Sequence, residues 1–200
     1  MVYPVDDEKA RELRDYLSQM VVMDYESFRA FLNIGRMEIL RKGELFVKEG
    51  KFCRELCYIF SGYFRYFHLY DGREVTRDFI FSKTITTSFS SLITQMPSSV
   101  SIQALEDCEL FVFPYSRLLA LYESYPKLER VARIHAEQAF ISLERYHISH
   151  LNDSAKERYK KLIDREPEMV QKIPLQYLAS FLSITPQHLS RIRREMFEGG

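Results

Sequence analysis

The chain has 200 residues, which suits one medium domain or one plus a smaller second. Hydrophobic residues make up 46% and aromatic residues 14%, enough to bury a substantial core and to exclude a disordered chain. The 28 Lys and Arg are balanced by 28 Asp and Glu, so a uniformly basic nucleic-acid-binding domain is excluded and any DNA-binding charge has to be local.

The N-terminal VYPVDDEKARELR is acidic and amphipathic, unlike a signal peptide, and no apolar run approaches the length of a membrane span. No membrane contact and a cytoplasmic location are expected. Asp6 to Met20 reads as a helix with Ala10, Leu13, Tyr16, Leu17 and Met20 on one side. Asp24 is placed to cap a second helix carrying Phe28, Phe31 and Leu32.

From Arg36 short apolar segments follow one another, separated by Lys42-Gly43, Glu49-Gly50, Ser61-Gly62 and Asp71-Gly72. This spacing predicts a run of antiparallel strands, with Asp71-Gly72 the strongest hairpin signal because both residues tolerate positive φ. Two further strands are predicted over Val100–Leu105 and Glu109–Phe113, the last ending at Pro114. The sum is an α+β chain with a small antiparallel β-roll or jelly roll over Arg36–Tyr115. Within it, Thr86, Thr87, Ser88, Ser98 and Ser99 form a candidate effector pocket that would hold a small molecule through neutral hydrogen bonds. The other reading is an outward polar loop on a barrel that binds nothing. Cys53, Cys57 and Cys108 are too few and too unevenly placed for a disulfide framework. Cys53 and Cys57 with His68 lack a second ligand pair and read as structural, so no metal and no other cofactor is expected.

Ser116 to Asn152 reads as the longest helix, with Pro126 in the first turn of its main run. Two apolar stripes follow. One is Val131, Ile134, Ile141 and Ile148; the other is Ala132, Ala136, Ala139, Leu143 and Tyr146. One stripe suffices to cover the barrel. The second, heptad-like and rich in alanine, suits close pairing with another copy, the competing reading being a helix buried on two sides within one subunit. His135, His147 and His150 read as polar surface or seam residues. Asn152-Asp153 is the candidate hinge, and Ser154 with Glu157 forms a capping box for a helix over Ala155–Asp164. That helix carries Lys156, Arg158, Lys160 and Lys161 on its outside, and Arg165–Lys172 connects it onward.

Pro174 to Glu195 holds two short amphipathic segments about a tight break. Leu175, Leu178, Ala179 and Leu182 share one face of the first. Thr185 is an N-cap and Pro186 fits the first helical position of the second. Leu189 and Ile192 point inward there, leaving Gln187, Ser190, Arg191 and Arg194 outside. From His150 to Gly200 nine Lys and Arg face seven Asp and Glu, a mild excess of two, so the feature is a small basic face. The domains read as a β-roll sensor with flanking helices over 1–125, a dimerisation helix over 126–152 and a helix-turn-helix domain over 153–200.

Ala179, Leu182, Ser183, Leu189 and Ile192, with the closing Leu-Ser-Arg-Ile, resemble the helix-turn-helix of the Crp/Fnr family. These are the bacterial regulators typified by the cyclic AMP receptor protein and the fumarate–nitrate reductase regulator. The barrel turns, in the order Lys42-Gly43, Glu49-Gly50, Phe60-Ser61-Gly62 and Asp71-Gly72-Arg73-Glu74, resemble that family's cyclic-nucleotide-binding domain, so the likeness covers nearly the whole chain. It implies a homodimer seamed along the long helix, double-stranded DNA with a near-palindromic operator as partner, and RNA polymerase as a further partner. The chain departs from the pattern at Ser183, where the family has Gly, and has little room for a β-hairpin wing. It departs more strongly in the pocket. The family's phosphate-binding Arg would fall near Ser98 and its Gly-Glu pair near Thr86-Thr87-Ser88, yet no Arg occurs between Arg77 and Arg117 and the only Lys there is Lys83. A buried phosphate needs a paired cation, so the effector is expected to be a small molecule other than cyclic AMP. No cysteine precedes Cys53, which argues against the iron–sulfur centre of the oxygen-sensing members.

These readings converge on a sequence-specific transcription regulator and not an enzyme, since no nucleophile–base constellation or phosphate-binding Gly loop is present. The recognition helix is Pro186–Met196. Gln187 would pair with adenine and Arg191 with guanine, and Ser190 would reach a base or phosphate. Arg193 and Arg194 would meet phosphates, and Thr185 and His188 complete the candidate DNA-binding set. The alternative is a ligand-binding sensor that acts through protein partners, its C-terminal hairpin serving as an interaction module.

Overall fold

The first two helices start where aspartates can hold free amides. In the computed structural model, which describes residues 2–3, 5–165 and 167–197, a two-residue strand β1 (Val2–Tyr3) precedes them. It is too short to leave a periodic signal and has no counterpart in the sequence reading. Asp6 accepts the Lys9 amide at 2.8 Å and begins α1 (Asp7–Ser18), which buries Leu13 and Leu17. Asp24 accepts the Ser27 amide at 2.8 Å and begins α2 (Tyr25–Ile34), which buries Phe28 and Phe31. That amide, joined by Lys127 Nζ at 2.9 Å, holds the Asp24 carboxyl well below the usual carboxylate range.

The strands follow as β2 (Arg36–Leu40), β3 (Leu45–Val47), β4 (Glu55–Ser61), β5 (Tyr63–Tyr70), β6 (Arg73–Phe81) and β7 (Thr84–Thr86). A short helix α3 (Phe89–Thr94) leads to β8 (Ser101–Ala104) and β9 (Cys108–Pro114). One sheet has the order β1-β2-β9-β4-β7 and the other β3-β8-β5-β6. This is the antiparallel β-roll expected from the turn spacing. Asp71 (φ 53°) and Gly72 (φ 73°) both adopt the positive φ that a tight hairpin requires. Helix α3 was not expected, because the segment Thr84–Ser91 carries no apolar stripe long enough to signal one.

The middle of the larger sheet makes the core. Strand β9 lies between β2 and β4, pairing Met37 with Phe111 and Leu56 with Phe113. Residues 110–113 of β9 are therefore buried in sequence and do not alternate. Phe31 of α2 meets the rings of Phe111 and Phe113 edge-on at 5.5 and 4.9 Å. Each such ring contributes on the order of 2–3 kcal/mol through burial, with a further ~1 kcal/mol for the edge-to-face geometry.

Helix α4 (Tyr115–Tyr122) ends before Pro126, which opens the long α5 (Pro126–Asn152). Then come α6 (Ala155–Arg165), α7 (Pro167–Lys172), α8 (Leu175–Phe181) and α9 (Pro186–Phe197). The capping box is present: Glu157 accepts the Ser154 amide at 2.7 Å, and the Glu157 amide reaches the Ser154 hydroxyl at 3.3 Å. The connector forms α7, a helix of 6 residues that is too short to show a period. No helix among the described residues is long and apolar enough to cross a membrane.

The chain divides into two compact units, Met1–His68 with Phe79–Gln138, and Leu69–Asp78 with Ala139 onward. In the first, Leu128 and Val131 of α5 join the β-roll core. His135 differs from its expected place on a polar surface. Its Nδ1 lies 3.4 Å from the Tyr16 hydroxyl and its ring 6.1 Å from that of Phe89, and burial lowers its pKa. The second unit has its own core of Tyr159, Ile173, Leu178, Ala179, Leu182, Leu189 and Ile192.

At Gly35 an added Cβ would stand 2.2 Å from Phe111 Cζ. Phe111 is fully buried in the sheet centre and has nowhere to retreat. Gly35→Ala is therefore expected to cost about 1–3 kcal/mol through overpacking, measured as a lowered urea midpoint.

Candidate nucleic-acid interface

Helix α8 stops by folding its chain back on itself. Ser183 adopts φ +57°, its amide donates to the Ser180 carbonyl at 3.0 Å, and the Ile184 amide donates to the Ala179 carbonyl at 3.0 Å. These are the two bonds of a Schellman motif, whose left-handed residue is usually Gly. A side chain in that conformation costs of order 1–3 kcal/mol, which is the consequence of Ser183 standing where the Crp/Fnr pattern has Gly. The Thr185 hydroxyl then accepts the His188 amide at 3.2 Å as N-cap, and Pro186 opens α9. Leu189 and Ile192 are buried, as are Leu178, Ala179 and Leu182 of α8, against which α9 packs.

Burying Leu189 and Ile192 decides which side of α9 faces out. Thr185, Gln187, Ser190, Arg191 and Arg194 are exposed and His188 is half-buried. The Arg191 side chain is 68% exposed, and its nearest acidic group is Glu195 Oε1 at 3.8 Å, one turn on. Such a pair is weak and screened, so the guanidinium is available to another acceptor.

Arg193 is turned the other way. Its Nε donates to the Tyr159 hydroxyl at 2.8 Å, its Nη2 to the Val170 carbonyl at 3.4 Å, and its guanidinium lies 5.6 Å from the Tyr159 ring centre. The expected phosphate contact at Arg193 is thus replaced by a structural tie from α9 to α6. The position had a readable signal: Arg193 is four residues after Leu189 and shares its buried face. Arg158 departs in the same way from its expected outer place on α6. Its Nη1 donates to the Asp153 carbonyl at 2.6 Å and its Nη2 to the Leu182 carbonyl at 2.9 Å. Lys156 and Lys160 do remain exposed on α6. At the expected hinge, Asp153 takes Lys161 Nζ at 2.6 Å and the Ser149 hydroxyl, and the Lys161 bond lowers its pKa.

In the β-roll, Thr86, Thr87, Ser88 and Ser98 are buried and Ser99 is exposed. The buried hydroxyls have partners within the protein. Ser88 meets Ser98 at 2.8 Å, and Ser98 donates to the Val100 carbonyl at 2.7 Å. Thr87 donates to the Glu55 carbonyl at 2.8 Å, and Thr86 meets the Tyr66 hydroxyl. Cys53 lies beside them, its Sγ 3.1 Å from Thr87 Oγ1. Burial pushes the Cys57 thiol up and that of Cys108 to about 12, which keeps both protonated and unreactive. Sequence reasoning missed buried Arg65, whose guanidinium lies 4.1 Å over the Phe67 ring. Its signal was the alternation Tyr63-Arg65-Phe67, which places it on the same side of β5 as two aromatics.

Along α5, Ala132 is half-buried and Ala136, Ala139, Leu143 and Tyr146 are exposed. Phe140, Leu143, Ile148 and Leu151 are each more than half exposed in the single chain. These side chains give α5 an exposed apolar surface in the single chain.

Residues 37–125 match the family of cyclic nucleotide-binding domains. No curated protein matches the chain in sequence. Several solved structures share its fold. The c-di-GMP-responsive global regulator CLP of Xanthomonas campestris superimposes with a TM-score of 0.71 at 17% identity, over 88% of this chain and 93% of that one. FixK2 from Bradyrhizobium japonicum gives 0.70 at 16% identity, over 83% and 86%. A chain from Eubacterium rectale assigned to the Crp/Fnr family of transcriptional regulators gives 0.71 at 18% identity, over 92% and 89%. At these identities the likeness establishes the fold: a β-roll of the cyclic-nucleotide-binding type, a long helix, and a helical C-terminal segment.

Arg193→Ala leaves the buried Tyr159 hydroxyl without its donor and is expected to cost about 1–3 kcal/mol of stability. Arg191→Ala, at an exposed position, should change stability by no more than about 0.5 kcal/mol. Urea unfolding of the two variants side by side checks the contrast, and equal midpoints would contradict the inward role of Arg193.

Proposed function

We propose that the protein is a homodimeric, sequence-specific DNA-binding transcription regulator, and not an enzyme. The observation that carries this reading is the outer face of α9. Gln187, Ser190, Arg191 and Arg194 stand exposed on a helix whose opposite face is buried and whose first turn is capped. Amide, hydroxyl and guanidinium groups in that order match the acceptors and donors of base edges in the major groove. Gln187 pairs with adenine and Arg191 with guanine, while Arg194, with Lys156 and Lys160 of α6, meets phosphates.

The exposed apolar stripe of α5 supports pairing of two copies through Ala132, Ala136, Ala139, Leu143 and Tyr146. Two recognition helices related by a two-fold axis would read half-sites about 34 Å apart on a near-palindromic operator. Cyclic AMP is a poor fit as effector, because the hydroxyls at Thr86, Thr87, Ser88 and Ser98 bond within the protein and no Arg lies between Arg77 and Arg117.

Selection from a random DNA pool tests the reading. Enrichment of one inverted repeat is expected, and Arg191→Ala should weaken binding to it by about 1–3 kcal/mol while relaxing one base position in each half-site. An equal loss on every sequence would make Arg191 a phosphate contact. Ala139→Glu places like charges against each other in the seam and should convert the dimer to monomer in sedimentation; a dimeric variant would move the seam to another stripe.

A further inference from the structure

The second unit carries a cleft of about 580 Å³ that the DNA-reading face does not use. Its walls come from the C-terminal half of α5, from α6, and from the end of α8. Three cations line it: Arg145, Arg158 and Lys161. Asp153 is the only acidic residue among the lining, and it is committed to Lys161 at 2.6 Å with its side chain 16% exposed. Arg158 bonds two backbone carbonyls and no carboxylate, and its buried Nε has no hydrogen-bond partner. Arg145 is exposed and makes no hydrogen bond or ion pair among the described residues. Among its lining residues cations outnumber acidic groups by three to one, in a chain whose net charge is zero. Burial, and with it the nearby Asp78 carboxylate, raises the Tyr146 pKa.

The rest of the wall is apolar and partly aromatic. The Tyr146 and Phe181 rings face each other at 5.8 Å, tilted by 36°, with Leu162 beside them. Flat apolar surface beside the exposed Arg145 guanidinium is complementary to one chemical shape: a planar ring bearing an anionic group. The ring lies against Phe181 and Leu162, and the anion takes the donors of Arg145. We propose that this cleft is a binding site for a small aromatic anion, carboxylate or phosphate, with Arg145 as its principal charged contact.

Isothermal titration of the full-length protein with salicylate and with adenosine monophosphate tests it and separates the two anion types. At least one probe is expected to bind once per chain with a Kd of about 1 mM or tighter. Arg145→Ala should weaken that probe at least tenfold, as should Ser142→Glu, which adds an acidic group to the lining at an exposed position. Arg29→Ala, which removes an exposed cation outside the cleft, should leave binding unchanged. Thermal unfolding of each variant shows that the fold is kept. Absence of saturable binding by either probe, or binding indifferent to both cleft variants, overturns the proposal. The titrations contain no DNA, so their failure leaves the DNA-binding reading intact, and failure of that reading leaves the cleft to be judged by these titrations alone.

Discussion

The burial of Leu189 and Ile192 is the interaction on which the C-terminal half depends. Two apolar side chains three residues apart fix the rotation of α9 about its own axis, and that rotation puts Arg191 outside and Arg193 inside. Each buried side chain contributes on the order of 2 kcal/mol, comparable to the strain of the left-handed Ser183 that brings α9 back onto α8. The turn is thus held by the packing it permits. Arg193 on Tyr159, and Arg158 on the carbonyls of Asp153 and Leu182, extend the same frame to α6 and the end of α5.

The β-roll shows a different economy. Its centre is filled by aromatic rings around β9, and its Ser and Thr hydroxyls close bonds among loops and strands. A buried hydroxyl that already has its partners gains little by exchanging them for a ligand's. In the second unit, by contrast, the Arg145 guanidinium in the C-terminal half of α5 is exposed to solvent.

Much of this was legible in the residues. Asp6, Asp24, Ser154 and Thr185 mark helix starts because a side-chain oxygen one turn ahead is a local requirement. Asp71-Gly72 marks a hairpin because so few residue pairs accept positive φ together. What was not legible depends on partners distant in sequence. Strand β1 exists through β2, and α3 lacks a stripe of its own. His135 carries no sign of Tyr16 and Phe89, more than forty residues away. For Arg193 and Arg158 charge alone suggests solvent, although Arg193 shares a face with Leu189. The hydroxyls of the β-roll were equally suited to a ligand or to each other, and only their three-dimensional neighbours decide.

The central claim is that the exposed face of α9 meets the DNA backbone and base edges. The most direct measurement is the affinity of the full chain for a random-sequence duplex, by fluorescence anisotropy, across a range of salt. Two phosphate contacts are enough to lower affinity by about tenfold between 50 and 200 mM salt through counterion release, and a dimer with Arg194, Lys156 and Lys160 engaged should lose more. A loss of that size is the result expected. Binding that is absent at low salt, or that does not change with salt, would contradict the account and leave the helix-turn-helix as a module for a protein partner.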